Sequence, residues 1–127
     1  MTRGACTGPS PFEFATAERI RFGAGCAADA AADIASWGRE AMVFTGRRAE
    51  RAQPVVDELK RRGVRVHLFA VEREPRMEDA VRAAEAMRSL SCAFAAAVGG
   101  GSAIDAGKAA CALAANPGDP LTYLEVI

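Results

Sequence analysis

Eleven residues, GGGSAIDAGKA at 99–109, constrain this chain more than any other stretch. An uncharged run, Cys92 to Val98, precedes them, and an alanine-rich segment that reads as helix follows to Ala115. Three consecutive glycines at a strand-to-helix turn remove every Cβ from the loop. Phosphate oxygens can then approach the backbone N–H groups, and the following helix turns its positive end toward them. The pattern therefore describes a phosphate cradle at Gly99, Gly100, Gly101 and Ser102.

Simpler readings of the same residues stand beside that one. Glycines are ordinary in tight turns, and Ser102 with Asp105 three residues on fits a modified capping box that would only start a helix. Asp105 and Lys108 also fit an i,i+3 surface pair. Two standard phosphate loops do not fit. A Walker-type loop places four residues between its glycine and Gly-Lys-Ser/Thr, whereas here five separate Gly101 from Gly107 and Ala109 follows Lys108. The ordinary dinucleotide fingerprint puts a small residue where Ile104 stands, and it opens the first βαβ unit rather than coming late in the chain.

The rest of the chain supplies a setting for the loop. Residues 1–11 have turn-type composition and read as a loose tail. From Phe12 to Phe22 the even spacing of Phe14, Ile20 and Phe22 predicts a half-buried strand or hairpin arm, ended by Gly23 and Gly25. Ala24 to Trp37 reads as a helix with Ala27, Ala30, Ala31, Ile34 and Trp37 on one face, capped by Gly38. AMVFT (41–45) is a strand covered on both faces, closed by Gly46 and a basic loop with Arg47, Arg48 and Arg51.

A helix from about Gln53 carries Pro54 in its first turn and stops at Gly63. VRVHLFA (64–70) is the next strand, and a turn at Glu74-Pro75 leads to a helix over 76–89. That helix points Met77, Ala80, Val81, Ala84 and Met87 inward and Glu78, Asp79, Arg82, Glu85 and Arg88 outward. CAFAAAV, the glycine loop and the helix to Ala115 complete the series. Asn116 to Pro120 breaks it, and LTYLEVI begins a further segment.

Strands alternating with helices predict an α/β fold, a parallel sheet with helices on both faces. Ligands in such sheets sit at the carboxyl ends of the strands. The loops after Thr45, Ala70 and Val98 would share that edge, and a dinucleotide could span them.

Composition narrows the function classes. Length suits one domain with a real core. Sixteen basic residues balance sixteen acidic ones, so nothing predicts attraction to nucleic acid or to an acidic membrane surface. The four cysteines, Cys6, Cys26, Cys92 and Cys111, show no metal-ligand spacing. With no apolar run long enough to span a bilayer and no signal peptide, a cytoplasmic location is the expectation.

GGGSAIDAGKA resembles the GGGSxxDxxK motif of the iron-containing (group III) alcohol dehydrogenases. That family is related to maleylacetate reductases, glycerol dehydrogenases and, more distantly, dehydroquinate synthases. IRFGAG (20–25) is similar to the family's opening strand and FGxG turn, MVFTG (42–46) to its second-strand segment, and ALAANPGDPLTYLEVI (112–127) to the stretch after its cofactor helix. The resemblance runs in order over about residues 12–127.

It implies a Rossmann-like N-terminal NAD(P)-binding domain, without the helical C-terminal domain in which the family holds Fe²⁺ or Zn²⁺ on an Asp and three His. It also implies a homodimer, and a fragment that oxidises no alcohol on its own. His67, the single histidine, reads as a strand residue rather than a ligand.

By resemblance, Gly99, Gly100, Gly101 and Ser102 bind the pyrophosphate of NAD or NADP, and Asp105 sits toward the nicotinamide. Lys108 matches the motif lysine. Thr45 and Gly46 take the adenosine-ribose position, where many relatives carry an Asp that repels a 2′-phosphate. Gly46 lacks that carboxylate, so Arg47 or Arg48 could pair the phosphate of NADP, or both could simply face water. Glu74-Pro75-Arg76 departs from the Pro-Asn-Pro-Thr run of many relatives. The rival readings are a non-catalytic nucleotide-binding or dimerisation module, and a lyase like dehydroquinate synthase.

Overall fold

A computed structural model describes residues 14–116 and 118–123. Three strands, β1 (Glu40–Thr45), β2 (Arg65–Ala70) and β3 (Phe94–Val98), form one parallel sheet in the order β2-β1-β3. Four helices flank it: α1 (Cys26–Ile34), α2 (Gln53–Arg61), α3 (Met77–Ser89) and α4 (Gly101–Ala115).

The central strand explains the layering. Every residue of β1 from Ala41 to Thr45 is buried. Side chains of a strand alternate between faces, and the two cores divide accordingly. Ala41 and Val43 pack with Ala31 of α1 and with Val55, Val56 and Leu59 of α2. Met42 and Phe44 pack with Ala83 and Met87 of α3 and with Ala106 and Ala110 of α4. Helices thus cover both faces, as the alternation of elements predicts.

Helix α4 comes close to the sheet because of Gly107. A Cβ there would stand 3.3 Å from Phe44 Cδ2 and 3.5 Å from Ala97 Cβ. Helix α2 stops as expected at Gly63, whose φ of 80° only glycine adopts freely. The Gly63 N–H reaches the Lys60 carbonyl at 2.9 Å and the Val64 N–H reaches the Leu59 carbonyl at 3.0 Å, a Schellman closure.

Three expectations need correction. Residues 14–22 form no strand; they run as exposed coil, tied to α1 by ion pairs from Arg19 (3.1 Å) and Arg21 (2.7 Å) to Asp33. Phe14, Ile20 and Phe22 are 77% or more exposed, so their even spacing reflects no covered face among the described residues.

Gly38 does not cap α1 in a left-handed turn. Its backbone is extended, and a Cβ there would lie 2.3 Å from Ala93 Cβ, so glycine is required where the entries to β1 and β3 touch. Asp79, expected outward, is buried because its Oδ2 accepts the Arg76 N–H at 3.0 Å and caps α3. The 1–11 segment and the last four residues lie outside the described residues. No described helix is long and apolar enough to cross a membrane.

Candidate functional site

The strand ends decide where a ligand can go. At the carboxyl edge the loops after β1, β2 and β3 meet around a cleft of about 260 Å³ lined by Gly46, Arg47, Val71, Glu72, Arg73, Glu74 and Gly100 to Ala103. These are the three loops that the order of elements places together. The β1 and β2 exits are fastened by the Val71 N–H on the Thr45 carbonyl at 2.7 Å.

The three glycines of the loop act differently. A Cβ on Gly99 would come within 3.1 Å of Ala103 Cβ and 3.2 Å of the Gly46 nitrogen, so Gly99 lets the β3 exit lie against the β1 exit. At Gly100 and Gly101 a Cβ would meet nothing within 4 Å. Their bare backbone is not demanded by the packing of the chain itself.

Helix α4 starts from Gly100, which adopts an extended conformation, and no side chain caps it. Its first hydrogen bond runs from the Ile104 N–H to the Gly100 carbonyl at 3.2 Å. The N–H groups of Gly101, Ser102 and Ala103 therefore have no partner within the helix. The capping-box reading of Ser102 and Asp105 does not hold, since neither side chain bonds to the helix's first amides. No ion pair joins Asp105 to Lys108 among the described residues.

The predicted residues separate into two groups. Gly46, Gly100, Gly101 and Ser102 line the cleft, and Gly99 packs beneath it. Thr45 does not reach it: the residue is 1% exposed, and its Oγ1 is a buried hydroxyl with no hydrogen-bond partner among the described residues. Alternation along β1 puts its side chain on the face of Ala41 and Val43, opposite α4. Asp105 lines a neighbouring groove of about 380 Å³ with Pro75, Met77, Ala109 and Tyr123. Glu74 borders both spaces.

The loop after β2 brings further charges to the cleft beside Arg47 of the loop after β1. Arg47 lines the cleft and its Nε donates to the Glu72 carbonyl at 2.6 Å, whereas Arg48 does not line it. Arg73 reaches Asp79 at 3.0 Å, and Arg82 reaches the same carboxylate at 3.1 Å. The Arg76 N–H, then the cations of Arg73 and Arg82, hold the Asp79 carboxyl below its ordinary value against the opposing effect of burial. Glu74 Oε2 accepts the Ser102 hydroxyl at 3.1 Å. The order of the loops along the sheet edge was the available signal for these residues, but it gives no side-chain detail.

His67 Nε2 lies 2.9 Å from Glu40 Oε1 at the opposite end of the sheet. Among the described residues no three His, Cys, Asp or Glu side chains are grouped closely enough to hold a metal ion.

Fold and rim together define an α/β domain of the doubly wound kind, with an open cleft at the carboxyl ends of parallel strands. The sequence profile of the iron-containing alcohol dehydrogenases matches residues 17–126, and the chain belongs to that family. No curated protein sequence matches it. Two crystal structures of an archaeal halo-thermophilic alcohol dehydrogenase from a Red Sea brine pool are similar, one a histidine-to-alanine variant and one bound to NZQ. Each has a TM-score of 0.74 and 24% identity over 87% of this chain. At that identity the likeness establishes the fold. The chain spans 30% of the length of those enzymes.

Proposed function

We propose that this chain is the cofactor-binding part of a metal-dependent alcohol dehydrogenase, taking the pyrophosphate of NAD or NADP at Gly100, Gly101 and Ser102. One observation carries the reading: two glycines with open space above them stand before an uncapped helix, in a cleft that three strand exits share. Three N–H groups without a partner among the described residues, together with the helix's positive end, offer an anion site beside backbone that carries no Cβ at Gly100 and Gly101. Gly99 serves by packing, and Gly46 leaves room beside the ribose. Asp105 faces the next groove, on the side assigned to the nicotinamide.

The bound nicotinamide would supply hydride chemistry, and the family's metal, Fe²⁺ or Zn²⁺, would polarise the alcohol oxygen from residues outside those described. The chain's own residues bind and orient. Arg47 at the cleft, with no carboxylate at Gly46, supports acceptance of NADP as well as NAD. Self-association is part of the same proposal, supported by the exposed Phe14, Ile20, Phe22 and Trp37.

Calorimetric titration with NAD and NADP tests the reading. Both are expected to bind, and Gly101→Val is expected to weaken binding by about 100-fold, since it fills the space the phosphate needs. Its unfolding free energy should stay within about 0.5 kcal/mol of the parent, because nothing lies near that Cβ. Absence of binding by a folded chain sinks the proposal. NAD binding at least tenfold tighter than NADP, about 1.4 kcal/mol, removes the dual-cofactor part.

A further inference from the structure

The Glu74 side chain is in an unexpected place for a pyrophosphate site. Its carboxylate sits on the hydroxyl of Ser102, the second residue of α4, at the end of the helix where unpaired N–H groups attract negative charge. The cleft is lined by two cations, Arg47 and Arg73, and by two anions, Glu72 and Glu74. Arg73 is already engaged by Asp79, and the Arg47 Nε by the Glu72 carbonyl. A pyrophosphate carrying two negative charges thus meets no net positive charge from side chains. Among the described residues the Glu74 carboxylate has one hydrogen-bond partner, Ser102, and the residue is exposed. An exposed contact of this kind is weak enough to open readily.

We propose that Glu74 is a built-in competitor of the cofactor: its carboxylate takes up the Ser102 hydroxyl in the free chain and must swing off when a pyrophosphate binds. The inference rests on the dinucleotide reading above and concerns how that site is regulated. A carboxylate within a few ångströms of the incoming phosphates repels them, and the bond to Ser102 withholds a donor they would otherwise use. Neutralising Glu74 removes the repulsion and weakens the hold on Ser102, since an amide oxygen accepts less strongly than a carboxylate. Neutralising Glu72, which lines the same cleft without holding Ser102, releases only charge.

Titration of the full chain with NAD and with ADP-ribose tests this, using the parent, Glu74→Gln, Glu72→Gln and Gly101→Val. Glu74→Gln is expected to tighten both ligands about fivefold to tenfold, and Glu72→Gln no more than about twofold. Adenosine, which carries no phosphate, should respond to neither change. Equal gains from the two Gln variants would reduce the effect to net charge and overturn the competitor role. So would unchanged or weaker binding by Glu74→Gln. If that happens while Gly101→Val still weakens binding by about 100-fold, the competitor idea fails and the phosphate site stands. If neither the parent nor Glu74→Gln binds any of the dinucleotide ligands, both fail.

Discussion

The two ends of the sheet are finished in opposite ways. At the amino end the polar groups satisfy one another. Glu40 bridges Arg65 at 2.7 Å and His67 at 2.9 Å, Arg39 donates to the Arg62 carbonyl at 3.2 Å, and Gly38 is pressed against Ala93. At the carboxyl end Gly46, Gly100 and Gly101 stand open, and the amides opening α4 have no partner among the described residues. Buried or enclosed polar groups are normally satisfied. A fold that closes one edge and leaves the other incomplete directs its unspent hydrogen-bonding capacity to one rim, which is where a ligand would complete it.

The comparison predicts that small substitutions divide by edge. The largest effect is expected for Gly38→Val, which forces a branched side chain onto Ala93 Cβ, an atom that cannot rotate away. A loss of about 3 kcal/mol in unfolding free energy is expected from such overpacking, with cofactor affinity of the folded fraction unchanged. Denaturant titration beside ligand titration separates the two readouts. A variant that stays stable, or that loses affinity while folded, breaks the division.

Next in size is a pair within the glycine loop. Gly99→Ala places a methyl 3.2 Å from the Gly46 nitrogen and is expected to cost about 1 kcal/mol. Gly100→Ala enters open space at a φ of −83° and is expected to be neutral in stability while weakening NAD. The same chemical change one residue apart should therefore move different observables. Equal thermal shifts would show that the loop is uniformly packed.

Much of this architecture was legible in the sequence because strong local signals agreed. The short apolar runs gave all three strands, Gly63 gave the end of α2, and the alternation of elements gave the shared rim. What escaped notice depends on tertiary contact. Even spacing of Phe14, Ile20 and Phe22 suggested a strand, but a strand needs a neighbour to bond with, and none is present among the described residues.

Gly38 looked like a helix cap, although its reason is Ala93, more than fifty residues away. Helix α3 closes through Ser91 at a φ of 54°, with the Cys92 N–H on the Met87 carbonyl at 2.9 Å; no glycine marks that position. At the site, the glycines carried the pattern plainly. The ion pair of Arg73 with Asp79 and the contact of Glu74 with Ser102 are not written there, because a loop's side-chain partners are set by which strand exits lie side by side.

The smallest expected effect concerns how the amino edge is held closed. Hydrogen bonds from His67 and then Arg65 pull the Glu40 carboxyl below its ordinary value of 4.5. A carboxyl whose folded value is depressed stabilises the fold in full above its unfolded value, and that contribution is lost as pH falls through the folded value. Glu40→Gln is accordingly expected to lower the melting temperature at pH 7, and the gap from the parent should shrink as the pH is brought below 4.5. Thermal melts across that range measure it, with Glu74→Gln as the carboxyl-edge counterpart, since its partner is a neutral hydroxyl rather than a cation. If the Glu40 gap persisted unchanged in acid, shape rather than charge would be closing the amino edge. The contrast between the two ends would then be one of packing alone.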